Sequence, residues 1–326
     1  MVAGAVVLTA LSACDLPFSL GQPTTRALEN GAADSLTAAN SFEIIGSYSE
    51  SGSRWSIDLH VARQKVGSDK EHVVVSSADT KLEAIIVGND AYFRGNQFLS
   101  QHMGSDLLSR NLVKAAGNAW WKGSAGHVPR LPDFTDGSTF RSTFLGTVVS
   151  QRSDHVSVDG VNAVELSGSR ADVFVDANPP YHVLRVHLQK GVVVDGISEG
   201  DFRFVNFDQN LEISAPADVI DFSNLSTLPP IYTVVSVDTS GCGSPCAVSA
   251  LLKNLGGIQN AQAPSTITFT MTGTASGEVL GSCQAQVKPN VGYNATTTVA
   301  CSIGNVNSQN VNSATVTATA DNPGRA

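Results

Sequence analysis

Between Cys14 and Cys242 the chain contains no cysteine, and beyond Cys14 it contains no apolar run approaching the length of a membrane span. A spanning helix needs about 20 apolar residues, so nothing after Cys14 is expected to enter a bilayer as a helix. Positive charge is also sparse: 20 Lys and Arg stand against 29 Asp and Glu, a net charge of −9, and the basic residues are scattered. Phosphate binding draws on clustered Lys and Arg, so a nucleic-acid partner is excluded, as is adhesion to an anionic membrane face by charge alone. Serine-acylase spacing (S-x-x-K) and zinc-hydrolase spacing (H-E-x-x-H) are missing, and no nucleophile elbow is expected. The chain is therefore read as a non-enzyme with no catalytic residues, cofactor or metal. The histidines closest in sequence, His182 and His187, differ by an odd number on an expected strand, which points their rings to opposite faces. Asp133 and Asp136 before Gly137 lack the alternating ligands and closing Glu of a calcium loop and are read as turn residues.

What is present begins with an uncharged apolar stretch, Val2 to Ala10, followed by Leu11-Ser12-Ala13-Cys14. This pattern resembles a bacterial lipobox, with a hydrophobic segment too short to span and small residues before a cleavage point. The resemblance implies a signal peptide over 1–13 and a diacylglycerol on the Cys14 sulfur. The mature protein would then be anchored on the extracytoplasmic face of the cell membrane rather than spanning it. Pro17, Gly21 and Pro23 break regular structure and suit a lipidated tether over 14–25. Export signals normally open with Lys or Arg, and Val2-Ala3-Gly4 supplies neither, so the true start is expected upstream of Met1.

The remaining cysteines, Cys242, Cys246, Cys283 and Cys301, all fall in the last third. An even set in an exported protein suggests two disulfides, for which three connectivities exist; pairing Cys242 with Cys246 and Cys283 with Cys301 closes the shortest loops. A zinc site is disfavoured because C-x3-C and C-x17-C lack C-x2-C knuckles.

A chain of 326 residues with 42% hydrophobic content suggests two domains. Residues 26–40 read as a weakly amphipathic helix despite Gly31. Alternation then places Trp55, Ile57, Leu59 and Val61 on one face of a strand, with Asp58 and His60 toward water. Further strands are expected at 72–76, 81–87 and 91–94, as an antiparallel meander. Leu99, Met103, Leu107, Leu108, Leu112 and Ala115 recur at three and four residues and predict one helix over 97–116, stopped by Gly117. Phe140, Phe144 and Val148 suggest another helix, and strands resume at 161–166, 172–175, 181–188 and 202–207.

Several quoted segments occur in an order similar to the LolA-like fold, and within it to the LppX and LprG lipoproteins. They are Ser41-Phe42-Glu43-Ile44-Ile45-Gly46-Ser47, the strand around Trp55, Ile86-Val87-Gly88-Asn89-Asp90-Ala91-Tyr92-Phe93, and a helix before Trp120-Trp121-Lys122. Val158-Asp159-Gly160-Val161-Asn162-Ala163-Val164, Pro180-Tyr181-His182-Val183-Leu184-Arg185-Val186 and Phe204-Val205-Asn206-Phe207-Asp208 follow. The resemblance covers about residues 26–224. It implies an α+β domain over 26–217, a curved antiparallel half-barrel sheet covered by helices, with an apolar space that holds acyl chains. The ligand-cavity candidates are Trp55, Ile57, Leu59, Met103, Leu107, Leu112, Trp120, Phe140 and Phe144. Adjacent Trp120 and Trp121 on an extended segment must face opposite ways.

Pro, Ser, Asn and Asp mark a linker over 218–230. Beyond it, six short alternating segments from 231 to 320 suit an all-β sandwich over 231–326. The run Val248-Ser249-Ala250-Leu251-Leu252-Lys253-Asn254-Leu255-Gly256 resembles bacterial immunoglobulin-like modules of the CARDB or FxLYD type. Two non-enzymatic functions follow as expectations. One is an anchored binder or carrier of a lipid or other hydrophobic ligand. The other is a structural lipoprotein of the cell envelope whose C-terminal domain contacts a protein partner.

Overall fold

A computed structural model describes residues 22–325 except 126, 127, 129, 130, 147, 305 and 308–310. Cys14 and its apolar run, with the tether as far as Gly21, lie outside the described residues. The chain is mostly β with few helices. The described residues form two compact units, one of those up to Ala38 with Leu131–Asp195 and one of those in 39–130 with those from Gly196 onward, so strands on both sides of the 218–230 linker share the second unit.

In chain order, α1 (Thr25–Ala38) leads to β1 (Ser41–Glu50), β2 (Ser53–Ala62), β3 (Lys70–Ser76), β4 (Lys81–Val87) and β5 (Asp90–Arg94). Helices α2 (Asn96–His102) and α3 (Leu107–Ala116) precede β6 (Trp120–Ser124). Short helices α4 (Pro132–Thr135) and α5 (Gly137–Phe140) run into a π turn, Arg141–Leu145. Then come β7 (Gln151–Val158), β8 (Val161–Ser167), β9 (Ala171–Asp176), β10 (Val183–Leu188), β11 (Val193–Val194), β12 (Ile197–Val205) and β13 (Val219–Ile220). The last six strands are β14 (Tyr232–Asp238), β15 (Cys246–Asn254), β16 (Thr266–Gly273), β17 (Val279–Gln286), β18 (Thr296–Ile303) and β19 (Ala314–Asp321).

The second unit carries a sheet in the order β13-β6-β5-β4-β3-β2-β1-β12, antiparallel except where β13 runs parallel to β6. Its register aligns Ile44 with Leu59, Leu59 with Val73, Val73 with Ala84, Ala84 with Phe93 and Phe93 with Trp121. These six side chains are buried on one face. Because side chains alternate along each strand, the same register lays Glu43, His60 and His72 in a row on the opposite face.

The single helix expected over 97–116 is instead two. Met103 closes α2 in an extended conformation (φ −82°, ψ 154°), and Asp106 caps α3 by accepting a hydrogen bond from Ser109 N at 3.0 Å. Apolar spacing alone reads through such a break, whereas the Gly104-Ser105-Asp106 stretch that ends the first helix and starts the second is a capping signal. As a result Leu107 lies in the first turn of α3 and is 63% exposed, and α3 buries Ala115 and Ala116. The second expected helix, on Phe140, Phe144 and Val148, reduces to α5 and the π turn, and Val148 is exposed.

The last six strands form two antiparallel sheets, β14-β15-β18 and β17-β16-β19, enclosing a core that includes Val248, Leu252, Ile267, Phe269 and Met271. Cysteine pairing follows the shortest loops: Cys242 bonds Cys246, and Cys283 on β17 bonds Cys301 on β18, cross-linking a strand of each sheet.

In the first unit the strands run β10-β9-β8-β7. Helix α1 buries Leu28, Ala32, Ala33 and Leu36, and Gly31 shares its inner surface. A Cβ at Gly31 would sit 2.4 Å from Cδ2 of Tyr181, and one at Gly137 would sit 2.1 Å from the Ala33 carbonyl. Gly31, which weakens the helix by propensity, is thus required by close approach. Gly31→Ala should destabilise the protein by about 1–3 kcal/mol through overpacking, against the gain of about 1 kcal/mol that helix propensity alone would give. Urea unfolding of the full chain checks the sign.

Candidate functional site

Trp55, Ile57 and Leu59 share the apolar face of β2, where Trp55 lies opposite Tyr48, and Ile57 and Leu59 are buried. Burial, with a lesser push from Glu50, raises the Tyr48 hydroxyl pKa to about 12, so it stays protonated at physiological pH. Trp120 lies on the other face: the Arg94 guanidinium sits 4.6 Å over its ring, while Trp121 stacks on Phe93 at 6.0 Å. Phe140 and Phe144 belong to the first unit, fully buried with Phe134. Phe144 lies 4.8 Å from Phe134 and 5.0 Å from Phe140, ring centre to ring centre. Met103 and Leu112 are half-buried around the α2–α3 break, where Leu107 points outward.

The second unit contains a cleft of about 600 Å³ at this break. Ser100 and Met103 of α2 and its end, and Arg110, Val113 and Lys114 of α3, form one wall; Gln262, Pro323 and Arg325 form the other. The second wall is held in place by polar contacts. Lys114 Nζ donates to Asp321 Oδ1 at 2.6 Å, the Gln262 amide donates to the Arg325 carbonyl, and Arg325 pairs with Asp218. Gly324 allows this approach, since a Cβ there would meet the Lys114 carbonyl at 2.3 Å. More apolar than polar surface lines the cleft, and three cations stand around it, Arg110, Lys114 and Arg325. Its size falls in the ordinary range for a small-molecule or lipid site. Of the sequence candidates only Met103 lines it. The contribution of residues 262 and 323–325 was invisible to periodicity, because it arises from chain segments some 150 to 220 positions beyond α3.

On the polar face of the same sheet, sequence reading missed a chain of paired side chains. His72 Nε2 lies 2.9 Å from Glu83 Oε1, and Arg94 Nε donates to Glu83 Oε2 at 2.9 Å. Burial opposes ionisation of Glu83, but the bonds from Arg94 and His72 outweigh it and hold the carboxyl below its usual range. Elsewhere, Asp136 acts as a helix cap, accepting from Thr139 N at 2.9 Å. Burial, with a further push from Asp133, raises Asp195 to about 6.

The stretch Gly196-Ile197-Ser198-Glu199-Gly200 spells G-x-S-x-G, against the expectation that no such elbow occurs. It carries no elbow geometry. The residues after Gly196 run along β12 rather than into a helix, and Ser198 Oγ donates to the Ser49 carbonyl at 3.3 Å.

No helix among the described residues is long and apolar enough to cross a membrane. No family model and no curated protein sequence matches the chain. Among solved structures, LprF from Mycobacterium bovis is 14% identical over 60% of this chain and 100% of its own, with a TM-score of 0.37. MucB in complex with MucA, from Pseudomonas aeruginosa, is 14% identical over 88% of this chain and 96% of that one, with a TM-score of 0.30. A DUF1329 family protein from Desulfovibrio piger is 12% identical over 58% and 94%, with a TM-score of 0.24. At these scores the likenesses assign neither fold nor function.

Proposed function

We propose that this chain is an extracytoplasmic lipoprotein, anchored through Cys14, that binds a lipid or other hydrophobic ligand. In this reading the strands and helices up to about residue 217 are LolA-like, and the two C-terminal sheets are an immunoglobulin-like module. The observation that carries the binding reading is the cleft at the α2–α3 break, with Met103 and Val113 for an apolar chain and Arg110 at its margin for an anionic head. Burial of apolar area at about 25 cal/mol per Å² holds such a ligand without catalytic groups. Support for the anchor comes from Leu11-Ser12-Ala13-Cys14 behind an uncharged apolar stretch.

A second reading, a protein-binding envelope lipoprotein, draws on one observation. Val235 and Leu251 on adjacent strands β14 and β15 are 56% and 37% exposed, an apolar spot on the outside of the C-terminal sheets.

The anchor is tested by detergent-phase partitioning and intact mass of the exported chain. Wild type is expected in the detergent phase with a diacylglycerol-sized mass increment, and Cys14→Ser in the aqueous phase without it. Equal partitioning of the two would overturn the anchor.

A further inference from the structure

We propose that Glu43, Asp58 and His60 form a binding site for one divalent transition-metal cation of the zinc or manganese class, on the polar face of the sheet. The three residues come together through register. Glu43 on β1 lies directly across from His60 on β2, and Asp58 sits two residues before His60 on the same face. His60 Nε2 is 2.9 Å from Asp58 Oδ1 and 3.8 Å from Glu43 Oε1, and one ligand atom from each residue lies within 4.8 Å of the others. A cation with bonds of about 2.1 Å to nitrogen and oxygen places its ligands roughly 3.0–3.4 Å apart, so shifts of well under an ångström to about an ångström seat all three. One imidazole and two carboxylates suit zinc, manganese or iron; calcium and magnesium favour all-oxygen sets.

A protonated His60 bridging two carboxylates would produce the same proximity, and the geometry argues against it. Asp58 Oδ1 is buried yet receives no hydrogen bond, although the ring nitrogen is 2.9 Å away. The nitrogen is not aimed along the line to that oxygen, so the pair lacks the alignment of a donor and an acceptor. A buried carboxylate oxygen without a hydrogen bond is costly, and a shared cation satisfies it.

Glu43 is also braced as a metal-binding carboxylate is. Asn206 Nδ2 donates to Glu43 Oε2 at 2.5 Å, leaving Oε1 toward His60, and Gln209 Nε2 donates to Asn206 Oδ1 at 3.2 Å. Such outer bonds fix the orientation of a ligand side chain. The three side chains are partly exposed, His60 by 30%, Glu43 by 15% and Asp58 by 49%, which gives water access to the remaining coordination positions.

The test is calorimetric titration of zinc chloride and of manganese chloride into the full chain stripped with a chelator. One cation per chain is expected for at least one of the two metals, weakened tenfold or more by His60→Ala or Asp58→Asn, and by about tenfold by Asn206→Ala. His102→Gln, on a different element, should leave binding unchanged. Paramagnetic broadening by manganese in the unsubstituted protein gives a readout independent of variant folding, and the His60 ring resonances should broaden before those of His102 and His187. Saturable binding by neither metal, binding indifferent to His60→Ala, or, where manganese binds in the titration, broadening that spares His60 would each overturn the site.

Discussion

Asn254→Leu should cost the protein about 3–5 kcal/mol, one of the two largest single-residue losses expected in the chain. Asn254 is fully buried at the end of β15, and its side chain makes four hydrogen bonds. Its Oδ1 accepts from Ile231 N at 2.9 Å and Gly256 N at 3.0 Å, and its Nδ2 donates to the carbonyls of Gly257 at 2.8 Å and Val291 at 2.7 Å. Leucine keeps the branched four-heavy-atom outline, with bulkier methyls in place of the amide, and supplies none of these bonds, leaving four backbone groups to find others. Each unsatisfied buried group costs about 1–3 kcal/mol, and partial relaxation keeps the sum below the simple total. Relaxation is restricted here, because a Cβ at Gly256 or Gly257 would sit about 2 Å from the carbonyls of Pro229 or Ser226, so those backbones are already in close contact. The measurement is urea unfolding of the full chain together with amide exchange at Gly256 and Ile231. A loss under 1 kcal/mol, with those amides still protected, would mean that Asn254 does not hold this corner.

Phe144→Ala is expected to cost about 3–5 kcal/mol and to leave any bound lipid unchanged. Phe144 sits in the first unit in a fully buried trio with Phe134 and Phe140, and its carbonyl lies where a Cβ on Gly168 would be, at 2.1 Å. Interiors of this density lose both transfer energy and cavity energy when a ring is removed. A residue lining a ligand space would behave in the opposite way, with a small stability cost and a change in what is bound. Comparing unfolding free energy with extracted lipid content for the same variant decides between filled core and lining.

Most strands were legible to within one or two residues where apolar and polar residues alternate cleanly, but the strand expected at 202–207 runs Ile197–Val205, its first half too polar and Gly-interrupted to show the period. Lys81–Val87 coincides with its expectation, and the six C-terminal segments begin and end within a residue or two of theirs. Alternation fails on β7, whose Gln151–Val158 run is polar on both sides over most of its length, and no strand was expected there. The α2–α3 region misleads for a different reason. A stripe of Leu and Met at helical spacing is indifferent to a capping break, so Leu107 reads as core and proves exposed. Site geometry was the least legible part. Trp55, Ile57 and Leu59 were placed together correctly by period, but nothing in the spacing of His60, His72 and Glu83 announces that register aligns His60 with His72 and leaves Glu83 diagonally across from His72 on the same face. Nor does the sequence near α3 indicate that Pro323 and Arg325 close its cleft.

Lipid binding is tested most directly by native mass spectrometry of the full chain, exported from a host with a bacterial envelope, followed by organic extraction and lipid analysis. A noncovalent lipid near one per chain is expected, beyond the mass attached at Cys14, with loss of most of it in Met103→Arg, which puts a cation in the apolar part of the cleft. A chain that carries no such lipid and takes up none when it is supplied would show that the cleft is not a lipid site.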